Sequence, residues 1–432
     1  METPGHAFYD RLNEVLRGCG FDRRVEHLCK RYYRGPRGRP SIAPGAYFRM
    51  LLVGYFEGLD SERAIAWRVA DSLSLRKFLG YGLDEKTPDH STVSRTRRLY
   101  WLSTHQAVFA WALKVLAEEG LVEGETIAID ATTLEANAAM RSIVRRDSGE
   151  GYEGYLKKLA EEAGLEAPTR EELARFDRKR KKKKTSNRDW THPHDPDARI
   201  TKMKDGRTHL AYKAEHAVDL DTGALLAVTL QGADQGDTTT LFETLEEAEA
   251  AAVELGTEIK EVVADKGYHS DDVAVGLHDL GIRSYVSEPD RGRRRWEGKR
   301  EEQMQVYGNR RRIRGARGRR LQKLRAELGE RSFAHTYETG GLRRLHLRGR
   351  KNNLKRLLVH AAGFNLSLIM RALVGAGTPR QATKRLLSSL FDLFSRLWSL
   401  NRRSAALLTT FHSSVERWWA PTRASPHAAS VA

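Results

Sequence analysis

Residues 126–130 read TIAID and residues 259–265 read IKEVVAD, two short runs of β-branched and small apolar residues that each close on an aspartate. β-branched residues favour the pleated surface of a strand, so both runs are read as short strands ending on an acid, Asp130 and Asp265. In open α/β sheets, reactive groups gather outside the carboxyl ends of the strands, where side chains project into a crevice. If the two strands are neighbours, their carboxylates converge. Converging carboxylates repel unless cations fill the gap, and oxygen-only ligation suits Mg2+ or Mn2+. Two such ions about 3.5–4 Å apart activate the attacking oxygen and stabilise the leaving one in an in-line phosphoryl displacement. Either aspartate alone reads more simply as a strand end or turn cap; the pair, in a strongly basic chain, favours the metal reading.

The segments around these runs set the fold class. HLAYKAEHAVDL and ALLAVTLQ are strand-like and flank Asp221-Thr222-Gly223, a turn signal. DTTTLFETLEEAEAAAVELG predicts a helix with Asp237 as N-cap and Gly256 as its stop. After Asp265, SDDVAVGLHDLG predicts another helix and IRSYVSE another strand. Three strands followed by alternating helices and strands is the order of the ribonuclease H-like fold, an α/β class with a mixed sheet flanked by helices.

Upstream, residues 41–120 read as helices, with Pro44 in a first turn, Ser61 as an N-cap, and Pro88, Asp89 and Ser91 as start signals. Short helices joined by tight turns, the third opening at Ser91 and carrying Arg95, Arg97 and Arg98, resemble a helix-turn-helix, so these arginines are candidate DNA contacts. The expected domains are 1–120, helical and DNA-binding; 121–375, catalytic; and 376–432, a helical extension at 380–418 with a disordered tail. Within the catalytic part, 145–208 is expected to be a polar insert, partial helix and then loop, and 288–318 an arginine-rich segment. HPHDPD at 192–197 looks like a metal cluster, but its prolines favour a surface turn.

The chain has 432 residues and a formal net charge of +17, with a pI near 9.8, which points to a polyanionic partner such as nucleic acid. The charge is localised: 178–184 is unbroken lysine and arginine, and 291–325 holds 15 basic residues against 3 acidic. The first run reads as solvated surface. In the second, Trp296, Tyr307, Ile313, Leu321 and Leu324 interleave Arg293, Arg294, Arg295, Arg310, Arg311 and Arg312, as in a folded basic surface. Trp296 is placed to stack on an unpaired or flipped base, with core packing as the equal alternative. No apolar run approaches the ~18 residues of a membrane span, and METPGHAFYDRLNEVLRGCG lacks a basic-then-apolar leader. A cytoplasmic protein is expected. Cys19 and Cys29 lack the paired spacing of a zinc site and read as free thiols.

A third acid is expected from a helix beyond the last strand, where RLQKLRAELGERSFAHTYE offers Glu327, Glu330 and Glu338. At ~100° per residue, Leu321, Leu324 and Leu328 form one stripe, and Glu330 falls opposite, beside Ala326, Phe333 and Tyr337. Glu330 is the preferred ligand, Glu327 the alternative, and Glu338 a solvated charge. Beside Asp265, Lys266, Tyr268 and His269 either position a phosphate or shape the turn.

TIAIDATTLEANAA, AYKAEHAVDLDTG, VVADKGYHS and ERSFAHTYETGGLRRLHLRG resemble the DDE transposases of bacterial insertion sequences, and SERAIAWRVADSLSLRKFLGYGLDEKTPDHSTVSRTRR resembles their N-terminal helical domain. The resemblance covers roughly residues 40–375. It implies a ribonuclease H-like catalytic domain, Mg2+ dependence, and excision or transfer of an element bounded by terminal inverted repeats, with a homodimer in the synaptic complex. Asp130 matches the first catalytic aspartate and Asp265 the second. Glu330, with Phe333 three residues on and Arg325 upstream, matches the glutamate. The chain departs from the pattern at Gln322, in the region of a usual tyrosine, and at Tyr337, in place of a lysine. The resemblance further implies that one metal activates water or a 3′-hydroxyl and the other stabilises the departing 3′-oxygen, while Arg325 and the 291–320 cluster grip phosphates. Two rival readings are a nuclease of the same fold without strand transfer and a DNA-binding regulator with an inactive catalytic core.

Overall fold

The first 120 residues alternate apolar stripes with start and stop signals, and their described residues form seven α-helices. These are α1 (Ala7–Gly18), α2 (Phe21–Cys29), α3 (Pro44–Glu57), α4 (Glu62–Asp71), α5 (Leu73–Leu79), α6 (His90–Leu99) and α7 (Leu102–Glu118). Their starts follow local chemistry. Pro44 opens α3, where a missing N–H costs nothing. Ser61 Oγ accepts from the Ala64 amide at 3.2 Å, and Asp89 Oδ1 from the Thr92 amide at 2.7 Å. The computed structural model describes residues 6–33, 41–180, 186–290, 292, 294–385 and 388. Lysines 181–184, Arg293, most of the 380–418 stretch and the tail beyond it lie outside the described residues. By internal contacts, Met1–Pro379 group into one unit and Arg380–Ala432 into a second.

The sheet then begins with β1 (Thr126–Glu135). An insert follows, comprising β2 (Val144–Arg145), α8 (Tyr152–Glu162), α9 (Arg170–Lys179), β3 (Trp190–Thr191) and β4 (Arg199–Lys202). The main fold resumes with β5 (Thr208–Asp219), β6 (Leu225–Gly232), α10 (Asp237–Glu254), β7 (Glu261–Ala264), α11 (Asp271–Asp279) and β8 (Arg283–Val286). It ends with α12 (Arg300–Arg314), α13 (Ala316–Phe333) and α14 (Arg350–Val374). The strand order is β4-β5-β1-β7-β8, with β6 also paired to β5. β1 runs antiparallel to β5 and parallel to β7, and β7 is parallel to β8. This is the mixed ribonuclease H-like arrangement expected from the element order.

Period-two alternation divides the sheet into two faces. Ile127, Ile129, Val262 and Ala264 pack with Leu241 and Leu245 of α10 and Leu277 of α11. The alternate residues face α13. At the opposite end, buried Asp219 accepts hydrogen bonds from the amides of Glu123 (2.8 Å), Gly124 (3.2 Å) and Asp221 (3.0 Å) and from Thr222 Oγ1 (2.8 Å). The β5–β6 turn is thereby stapled to the chain entering β1, and Gly223, at φ +80°, supplies the left-handed residue the turn needs. Helix α14 is long and apolar enough to cross a membrane by composition, yet 72% of its most apolar window is buried within the fold. Asn365 on that helix bonds both the amide (3.0 Å) and the carbonyl (2.9 Å) of Leu225, which docks α14 on β6.

Several expectations need correction. The insert is more ordered than a partial helix and loop: α8 and α9 share a small core of Leu156, Ala160 and Leu173, and Thr169 with Glu172 forms a capping box at the start of α9. HPHDPD does form a turn with Pro193, His194, Pro196 and Asp197 exposed, but two of its side chains are anchored inside the fold. His192 and Asp195 are buried, and Asp195 Oδ1 accepts from Tyr212 OH and from the Gly349 amide (3.1 Å), which ties the insert to the start of α14. Residues 300–314 are helical, and Asp237 is the first residue of α10 behind the N-cap Gly236. Asp130 does not end its strand. β1 continues to Glu135 against β5, and only the pairing with β7 stops before it.

Candidate active site

The parallel register pairs Ile129 with Ala264 as the last residues of the β1–β7 ladder. Asp130 and Asp265 come next, side by side on neighbouring strands, on the face covered by α13. Both are half-buried. Asp130 Oδ1 accepts from the Ala131 amide and Oδ2 from Arg325 Nη1, each at 2.9 Å. Burial raises the Asp130 pKa above the ordinary carboxylate value; Arg325 pulls it down, and the charges of Asp265 and Asp237 push it up again. Asp265 Oδ1 caps the turn Lys266–Tyr268 by accepting from the Gly267 amide at 2.7 Å.

Helix α13 crosses this edge with one face, at the three- and four-residue spacing of helical neighbours. Gln322 Nε2 donates to the carbonyls of Ala264 (3.2 Å) and Tyr285 (2.6 Å), where β7 and β8 end. Arg325 follows on Asp130. Gly329 follows next, where a Cβ would come within 3.3 Å of Asp130 Oδ2. One turn on, Ser332 Oγ donates to the Gly329 carbonyl (2.9 Å), so His216 Nδ1 must donate to Ser332 Oγ (3.0 Å). His216 Nε2 then accepts from Tyr337 OH (2.6 Å). This requires a neutral imidazole, and burial pushes the His216 pKa down to about 3. His216 lies directly opposite Asp130 in the β1–β5 register, so the strand that flanks the acid also anchors its roof.

The three candidate glutamates are all exposed. Glu327 is ion-paired with Arg331 at 2.6 Å, and Glu338 lies 3.8 Å from Arg343. Glu330, one residue past Gly329, forms no ion pair among the described residues. The fold therefore juxtaposes the two aspartates and leaves Glu330 out of contact with them; no group of three or more His, Cys, Asp or Glu among the described residues is poised to hold a metal. The adjacent carboxylates of Asp130 and Asp265, one with its pKa raised by burial, do form a hard oxygen donor pair suited to a divalent cation.

Residues 123–366, more than half of the chain, match the family described as Transposase DDE domain. The chain belongs to the DDE transposase family. Residues 1–99 match a second family, Transposase domain (DUF772), which accounts for the helical N-terminus. No curated protein matches the transposase. Its family uses divalent metal ions and acts on DNA.

The arginines of the transposase separate into two sets. Arg294 makes two contacts to Asp271 (2.5 and 2.7 Å) and stacks 4.2 Å over Trp296. Trp296 in turn meets Tyr307 edge-on at 5.8 Å, and its indole is half-buried. Arg310 grips Glu288 through two 2.8 Å bonds, and Arg312 bonds Ser284 O and Oγ at 2.9 Å, which fastens α12 to β8. On α6, Arg97 is buried and ion-paired with Glu62. Arg95, Arg98, Arg295 and Arg311 are exposed, as are Arg300 and Arg314. The sequence reading missed Lys213, Glu215 and His216. Their signal was three ionisable residues within four positions, set among Leu210, Ala211, Ala214, Ala217 and Val218 of one strand.

Proposed function

We propose that the transposase cleaves DNA at the terminal inverted repeats of an insertion sequence and joins the ends to target DNA, with Asp130, Asp265 and Glu330 as its acids. The observation that carries this is the pairing of Asp130 with Asp265 at the end of the parallel ladder, under α13. Asp130 and Asp265, with Glu330, would hold two Mg2+ or Mn2+ ions, which would supply the positive charge for activating the attacking hydroxyl and stabilising the departing 3′-oxygen. Arg325 fixes the plane of the Asp130 carboxylate by holding Oδ2, and its charge opposes the rise in pKa that burial causes. Glu330 rides on the turn of α13 that passes over Asp130, and unlike Glu327 and Glu338 it forms no ion pair among the described residues. Exposed Arg295 and Arg311 with Arg95 and Arg98 are the phosphate contacts, Arg95 and Arg98 from a DNA-binding domain at 1–120 and Arg295 and Arg311 from the catalytic domain at 121–375. The protein acts in the cytoplasm, as a dimer in a synaptic complex.

The test is cleavage and joining of a duplex carrying the element's terminal repeat. With Mg2+ or Mn2+ the wild type cuts and joins, and Asp130→Ala and Asp265→Ala do neither while still binding DNA in EDTA. Cleavage by either variant refutes the site. Cleavage without joining of pre-cut ends makes the protein a nuclease, and binding without cleavage makes it a regulator.

A further inference from the structure

Lys213 and Glu215 lie two residues apart on β5, so both point to the α10 face, behind the strand ends that carry the aspartates. Glu215 is fully buried. It accepts hydrogen bonds from Thr240 Oγ1 (2.5 Å), Thr244 Oγ1 (2.6 Å) and Tyr268 OH (3.1 Å). Lys213, also buried, brings Nζ within 2.9 Å of Glu215 Oε1, 2.7 Å of Asp237 Oδ1 and 2.7 Å of Thr240 Oγ1. A charge in such a place is tolerated only when paired and hydrogen-bonded, and each of these groups is.

Both arms of the network end on the turn that carries Asp265. Tyr268, held by Glu215, is the last residue of that turn. Gly267 packs so closely on Asp237, held by Lys213, that a Cβ at 267 would overlap Asp237 Oδ2. The Gly267 amide is the group that fixes Asp265 Oδ1. We propose that Lys213 is a positioning residue: by neutralising Glu215 and Asp237 it clamps the turn that presents Asp265 to the metal. Without the ammonium, Asp237 faces Asp265 as a like charge with nothing to hold it back, and the turn moves outward. The proposal rests on the reading of Asp265 as a metal-holding acid.

Replacing Lys213 alone would strand a buried carboxylate and change the net charge near the metal. The informative variant is therefore Lys213→Met combined with Glu215→Gln, which removes one charge of each sign and leaves a side-chain amide oxygen able to accept from Tyr268. Mn2+ binding to the full chain is measured by titration calorimetry, alongside hydrogen exchange of residues 262–270. Leu245→Ala, a core truncation on α10, controls for general loosening. The expected result is Mn2+ binding weakened on the order of tenfold, the scale for losing groups that orient metal ligands. Faster exchange is expected at Gly267 in the double variant, and neither change in Leu245→Ala. Affinity within twofold of wild type in the double variant, or equal weakening in Leu245→Ala, overturns the positioning role. Asp265→Ala run in parallel tests the underlying reading: if it binds Mn2+ like the wild type, that reading falls and takes the proposal with it.

Discussion

His216 should make the fold acid-labile in a way that a single substitution can isolate. The imidazole is enclosed, donates to Ser332 and accepts from Tyr337, and its pKa is held at about 3, against about 6.5 in an unfolded chain. Because the folded value is depressed, the stabilisation is complete above pH 6.5 and drains away as pH falls toward 3, where only the unfolded chain takes up a proton. At roughly 1.4 kcal/mol per pH unit, the loss between pH 8 and pH 5 is about 2 kcal/mol. His216→Gln carries no titrating group and forfeits about two hydrogen bonds at roughly 1 kcal/mol each. The wild type should therefore exceed His216→Gln by about 2 kcal/mol at pH 8, and the gap should close to near zero at pH 5. Urea unfolding of both proteins, followed by tryptophan fluorescence at the two pH values, measures the gap directly. His105 and His360 are buried with lowered pKa values too, but they contribute equally to both proteins and cancel. A gap of the same size at both pH values would refute the neutral, enclosed His216.

Three further outcomes are expected. Arg325→Gln removes the main influence lowering the Asp130 pKa, which burial raises, so the acid limb of the cleavage pH–rate profile should move to higher pH; an unmoved limb disconnects the pair from activity. Glu330→Gln should lose DNA cleavage at least a hundredfold, on the order of a lost catalytic group, whereas Glu327→Gln, which breaks only an exposed pair with Arg331, should cleave normally. Arg311→Ala should weaken DNA binding and lower the salt-dependence slope by about 0.9, while Arg310→Ala, which releases Glu288, should lower the melting temperature and leave the slope unchanged.

Much of the fold was legible because the strands and helices after residue 125 carry their periodicity and turn residues locally. The β5–β6 turn at Asp221–Gly223 and the starts at Ser61 and Asp89 needed only near neighbours to be read. The insert was harder. Its two helices are stabilised by Leu156 against Leu173 and by Trp190 under Tyr152 and Tyr155, contacts between segments whose own composition is polar. Arg97 and Arg98 are adjacent in sequence and chemically alike, yet one is a buried partner of Glu62 and the other is exposed. The same holds for Arg310 and Arg311, because on a helix consecutive residues point about 100° apart and only the packing says which direction is inward.

By itself, the sequence determined the order of strands and helices, the chemical class of the partner through a charge of +17, and the two aspartates that close short apolar runs. The tertiary structure alone decided that Asp130 and Asp265 stand side by side, since a parallel register between β1 and β7 depends on the crossover that joins them. It also decided that Arg325 and Gly329, rather than Glu330, lie against Asp130. A helical wheel gives angles about an axis but not the rotation of that axis over the sheet, and here the rotation is set by His216 reaching Ser332 and Tyr337 from a strand more than a hundred residues earlier.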